Sequence, residues 1–126
     1  MDPQEIFDTV ARHLLTQKQR AVTTTQKGDV CAYRGADGTK CALGCLIPDS
    51  LYSPDMEGDS AYYVLKTYPA IAAHIGLGNK LLVMHLQPIH DAGDPRRWKQ
   101  EMLICSTMFN LQADVLAEFP DAKEKP

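Results

Sequence analysis

The sequence predicts a small α+β domain, mainly helical, in which about four helices pack around one antiparallel β-hairpin. Three observations carry this. Apolar residues recur at helical spacing near both ends of the chain. Between them, the cysteine- and glycine-rich stretch from Cys31 to Tyr52 holds an Asp-Gly turn signal beside residues that suit strands. The 126 residues are 44% apolar, enough for one modest core, so 1–126 reads as a single domain.

The first helix is predicted over residues 2–16. Asp2 caps it, Pro3 suits the first helical position, and Glu5 completes a capping-box pattern. Ile6, Phe7, Val10, Ala11, Leu14 and Leu15 make its apolar face. Residues 17–29 are polar and read as a linker, with an extended stretch at Ala21–Thr25. Val30–Arg34 and Thr39–Ala42 then read as the two strands of the hairpin. Asp37-Gly38 supplies the positive φ of its turn. Leu43–Ile47 is a buried apolar run, read as a short helix that Pro48 stops.

The acidic loop 50–60 allows one helical turn at most. A helix follows at about 60–68; Pro69 suits the start of another turn, and Ala70–Ile75 runs on to Gly76 and Gly78. Another helix spans 79–91, with Leu82, Leu86 and Ile89 facing inward and Pro88 near its end. Asp94-Pro95 repeats the opening of the first helix and begins the most periodic one, 96–110. There Trp98, Met102, Cys105 and Phe109 form a stripe and Asn110 is a left-handed stop. Val115, Leu116 and Phe119 close the fold. Residues 120–126 read as a frayed, charged tail.

Acidic residues (16) exceed basic ones (13), which argues against duplex nucleic acid as the partner. No apolar run approaches the roughly 20 residues that span a bilayer. The stretch MDPQEIF has acids where a secretory signal has positive charge. The expectation is a cytoplasmic protein without membrane contact, its four cysteines reduced.

Cys31, Cys41 and Cys45, with His85 or His90, would suit a Cys3His zinc site. There is no C-x2-C knuckle, however, and Cys45 lies in an apolar run, so structural thiols are the reading and no metal or cofactor is assigned. Cys41 beside Lys40 is a candidate nucleophile but lacks any protease signature. His85 and His90, five apart, lie about 140° apart on a helix and cannot chelate one metal from it. Arg34 and Lys40 lie across the turn from each other, where they would clasp a carboxylate or phosphate, with Tyr33 or Tyr52 stacking on a planar ring. The competing reading pairs Arg34 internally with an acid of the 49–59 loop. No phosphate-loop, dinucleotide-binding or metalloprotease motif is present.

The string from Tyr33 to Asp49, YRG-x-DG-x-KCA-x-G-x-LIPD, resembles a group of small proteins of phages, prophages and bacteria. Leu86-Gln87, His90-Asp91 and Trp98 extend the resemblance from Ile6 to about Leu111. The group carries no assigned chemistry. It implies a phage or bacterial cytoplasmic setting, in which small proteins often counter host defence. The expected function is a non-enzymatic binding protein that sequesters a small anionic, nucleotide-like ligand. Tyr33, Arg34, Lys40, Tyr52, Gln87 and His90 are its candidate ligand-binding residues, and no catalytic residue is assigned. The alternatives are a protein–protein inhibitor or accessory subunit, and a hydrolase using Cys41 or His90/Asp91. A homo-oligomer is expected because a pocket between protomers exceeds one within so small a core.

Overall fold

The computed structural model describes residues 1–26 and 28–120. Helix α1 (Pro3–Gln17) starts where the capping pattern places it. The Asp2 carboxylate accepts the Glu5 N–H, and Glu5 reaches back to the Asp2 N–H. Its six apolar face residues are all buried. Strands β1 (Val22–Thr25) and β2 (Gly28–Cys31) form the antiparallel hairpin, with Val22 opposite Cys31 and Thr25 opposite Gly28. Short helix α2 (Ala42–Leu46) follows, then α3 (Ala61–Thr67), α4 (Pro69–Ile75), α5 (Lys80–Ala92) and α6 (Trp98–Met108). Single 3-10 turns fill the connections at Ala36–Gly38, Pro54–Met56, Leu77–Asn79, Pro95–Arg97 and Asp114–Glu118.

The chain is therefore an α+β domain, mainly helical, with one two-stranded sheet. Six α-helices stand among the described residues, where the sequence predicts about four. The hairpin lies earlier than predicted. The linker expected at 17–29 supplies β1 and the first half of β2, because Val22 and three threonines are strong strand formers. The expected strands 30–34 and 39–42 meet only in a single bridge, Arg34 to Lys40. Their ladder cannot propagate because side chains take its N–H groups. Tyr33 and Arg34 N–H donate to the Glu57 carboxylate, and Lys40 N–H donates to Gln17 Oε1. Asp37-Gly38 still takes the left-handed conformation expected of it, with φ of 59° and 75°. The tail expected to fray lies, after Pro120, outside the described residues.

Trp98, Phe7, Ile6, Leu14, Leu43, Met56 and Leu86 anchor one core cluster, against which α1, α2, α5 and α6 pack. Gly44 sets the closest approach. A Cβ there would stand 2.1 Å from the Tyr33 carbonyl oxygen, so only glycine lets α2 lie against the Tyr33 segment. Pro88 sits within α5 and the helix continues past it to Ala92. No helix among the described residues is long and apolar enough to cross a membrane.

Candidate functional site

The last turns of α5 carry a largely buried polar cluster. Gln87 and Asp91 are four apart, hence on one face. Gln87 Nε2 donates to Asp91 Oδ1 at 2.8 Å, and Gln87 Oε1 accepts the Leu43 N–H at 2.8 Å. These opposite partners fix the orientation of the amide. Gln87 therefore ties the start of α2 to α5. His90 is fully buried, stacked on the Trp98 indole with ring centroids 5.7 Å apart. Its two nitrogens have distinct partners. Ala21 N–H donates to Nε2 at 2.8 Å, and Nδ1 lies 2.8 Å from Asp91 Oδ1. Because a main-chain N–H can only donate, Nε2 is bare and Nδ1 carries the proton. Burial would raise the Asp91 carboxyl, but hydrogen bonds from His90 and Gln87 outweigh it and hold it below its ordinary range.

Beside this cluster lies a cleft of about 410 Å³. Val30, Cys31 and Ala32 of the hairpin form one wall, Gly58–Ala61 another, and Tyr33, Cys41, Gln87 and Asp91 line the remainder. The Asp91 side chain is 38% exposed, so its carboxylate is accessible. Cys31 Sγ accepts a hydrogen bond from the exposed Arg20 guanidinium at 3.0 Å and lies 3.6 Å from the Asp91 carbonyl oxygen. Arg20 thus stands at the rim. Among the described lining residues there is neither lysine nor arginine.

The thiols here are not activated. Burial pushes Cys41 up to about 12, and its sulfur accepts the Gly44 N–H at the start of α2. Burial also raises Cys31, against the opposing pull of Arg20. Cys31, His90 and Asp91 bring three metal-capable groups within 4.8 Å of one another. The imidazole offers that trio no free lone pair, since Ala21 N–H occupies Nε2 and a proton occupies Nδ1. The Cys41–Lys40 pairing read from the sequence is only sequential. Lys40 borders a separate depression of about 350 Å³ with Thr9, Asp49 and His74, while Cys41 faces the cleft.

The six sequence-predicted residues fall into four places. Tyr33 and Gln87 line the cleft, with the Tyr33 hydroxyl donating to the Asp59 carbonyl. His90 lies behind it. Arg34 and Tyr52 belong to an internal network on the far side of the Tyr33 segment. Arg34 donates to Asp49 at 2.8 Å and to the Ile47 carbonyl at 2.9 Å, and its guanidinium lies 4.5 Å above the Tyr52 ring. This is the internal pairing that competed with the anion clasp. Lys40 contributes main-chain contacts to α1, its carbonyl accepting from Gln17 and meeting His13 Nε2. Arg34 and Lys40 are thus not gathered with Tyr33 around one cavity.

Sequence reasoning passed over Glu57, Cys31 as a cleft wall, and Arg20. Glu57 takes Tyr33 N–H at 2.9 Å, Arg34 N–H at 3.0 Å and Tyr52 O–H at 2.6 Å on one carboxylate. Its one local signal is the glycine that follows, Gly58, at a φ of 88°. Arg20 carries no signal at all. Comparison with protein-family models, with curated proteins and with solved structures finds no match.

Proposed function

We propose that this chain is a small-molecule-binding protein whose ligand sits in the cleft between the hairpin, the 58–61 loop and α5. The observation that carries the reading is the accessible Asp91 carboxylate at the cleft wall, held ionised by His90 and Gln87, with Arg20 at the rim. The volume falls within the usual range for small-molecule sites, roughly 300–1,000 Å³. A carboxylate within and a guanidinium outside suit a ligand with N–H donors at one end and an anionic group at the other. A nucleotide has that layout, its base amino group meeting Asp91 and its phosphate meeting Arg20. This keeps the nucleotide-like ligand expected from the sequence but moves its anion contact from Arg34 and Lys40 to Arg20. The resemblance to small phage proteins adds a role, sequestration of a nucleotide-type signal in host defence.

Binding is favoured over hydrolysis because neither a thiolate nor an unengaged imidazole nitrogen faces the cleft. Native mass spectrometry of protein purified under mild conditions, then offered a panel of nucleotides, tests the reading. A stoichiometric adduct released intact, and lost in Asp91→Asn and weakened in Arg20→Ala, is the expected result. Equal adducts in all three proteins, or chemically altered ligand, would overturn it.

A second reading, a protein-contact module, rests on a different surface. Leu77 in the turn before α5, Leu81 and Met84 along α5, and Ile104 and Met108 along α6 are all exposed. The edge contact of His85 with Phe109, centroids 5.1 Å apart, joins α5 to the end of α6. Light scattering of wild type against Leu81→Glu tests whether this face joins two copies, the homo-oligomer expected from the sequence. A monomer in both counts against that.

A further inference from the structure

We infer that His90 is a proton-operated latch for the β1–β2 hairpin, and that through it proton concentration controls one wall of the cleft. The hairpin projects from the core. Val22 and Cys31, at its root, are its only half-buried described residues, and the others are exposed. What fixes it is at that root. Ala21, fully buried, precedes β1 and donates its N–H to His90 Nε2. Ala32, after β2, donates its N–H to the Ala21 carbonyl at 2.9 Å, so one contact holds both ends of the hairpin. A further tie among the described residues is Cys31, against the Asp91 carbonyl and under Arg20.

The imidazole accepts at Nε2 and donates at Nδ1, so its only site for a second proton is Nε2. That proton turns an acceptor into a donor directly opposite the Ala21 N–H, and the hydrogen bond becomes a donor–donor contact. Asp91 still accepts from Nδ1 and neutralises the new charge, so the protonated ring keeps its place while Ala21 is released. The titratable and charged groups around the ring are Asp91 on α5, His13 on α1, and Cys31 with Arg20 at the hairpin root. From α6 the ring meets the uncharged Trp98 indole. Since Val30, Cys31 and Ala32 are cleft wall, release of Ala21 displaces that wall. The control of ligand access rests on the proposed reading of the cleft; the latch does not.

Amide hydrogen exchange of the ligand-free full chain, read by NMR from pH 8 to pH 5, tests this, with the His90 ring resonances followed in the same samples. Protection of Ala21 and of the hairpin amides is expected to fall together, by about tenfold or more for a lost hydrogen bond. The fall should share its midpoint with the His90 ring, and α1 amides should stay unchanged. In His90→Gln an amide oxygen can accept the Ala21 N–H without titrating, and protection should stay flat. The latch is overturned if Ala21 keeps its protection as the ring titrates, if the ring stays neutral until the chain unfolds, or if His90→Gln follows wild type. A working latch on a protein that takes no nucleotide would overturn the ligand reading alone.

Discussion

Replacing Glu57 by alanine removes the acceptor for three donors at once. Two are main-chain N–H groups of Tyr33 and Arg34, and the third is the Tyr52 hydroxyl. A hydrogen bond to a charged group contributes about 1.5–3 kcal/mol. The site is half-buried, so water replaces part of the loss, and we predict a destabilisation of about 3 kcal/mol, below the roughly 4.5–9 kcal/mol that the three bonds would sum to if none were replaced. Glu57→Gln should cost less, about 1–2 kcal/mol, because one oxygen can stay over Arg34 and Tyr52 while only Tyr33 N–H loses its acceptor. Asp55→Ala, an exposed acid in the same loop, should change stability by less than about 0.5 kcal/mol. Urea unfolding of the four proteins at pH 7 measures all three differences. If Glu57→Ala matches Asp55→Ala, the 49–59 loop does not organise the Tyr33 segment and the account of that network is wrong.

Other perturbations follow from the same geometry. Gly44→Ala should cost about 3 kcal/mol in urea unfolding, because its methyl group meets main chain rather than a flexible side chain. Gly38→Ala, in open space but at a φ of 75°, should cost only about 1 kcal/mol. Burial raises the thiols of Cys41 to about 12 and of Cys105 to about 11 from 9.0. A raised folded pKa stabilises fully below 9.0 and is lost as pH rises through the folded value. The urea midpoint should therefore fall between pH 9 and pH 11, and somewhat less in Cys41→Ala, where Cys105 and Cys45, the latter also raised to about 12 by burial, remain. Maleimide labelling of the native protein at pH 7.5, mapped by mass spectrometry, should modify Cys31 before Cys41 or Cys105, which react only on unfolding.

Local rules that need only neighbours in sequence were legible. The Asp2–Glu5 capping box, the left-handed Asn110 and the positive φ at Asp37-Gly38 are set within a few residues, and each appears where the sequence puts it. The hairpin was misplaced because a turn signal states a conformation, not a ladder. Asp37-Gly38 turns the chain, but Glu57 and Gln17, 20 or more residues from the groups they accept, take the N–H groups a second strand would need. The motif from Tyr33 to Asp49 looked like a ligand clasp because arginine, lysine and tyrosine sit close along the chain. In the fold it is mostly architecture, with Gly44 under Tyr33, Arg34 on Asp49 and Tyr52, and Gln17 on Lys40. The His90–Ala21 contact spans 69 residues and joins a side chain to a main-chain group. No residue pattern announces such a partner, so the tautomer that governs the site could be read only from the structure.

The most direct measurement of the central claim is amide chemical-shift mapping of the full chain against the nucleotide panel, in wild type and Asp91→Asn. The account predicts saturable shifts at Cys31, Tyr33, Gln87 and Asp91, with Arg20 shifting for phosphorylated members, and their loss in the variant. Shifts centred instead on Lys40, Asp49 and His74, or identical shifts in both proteins, would contradict it.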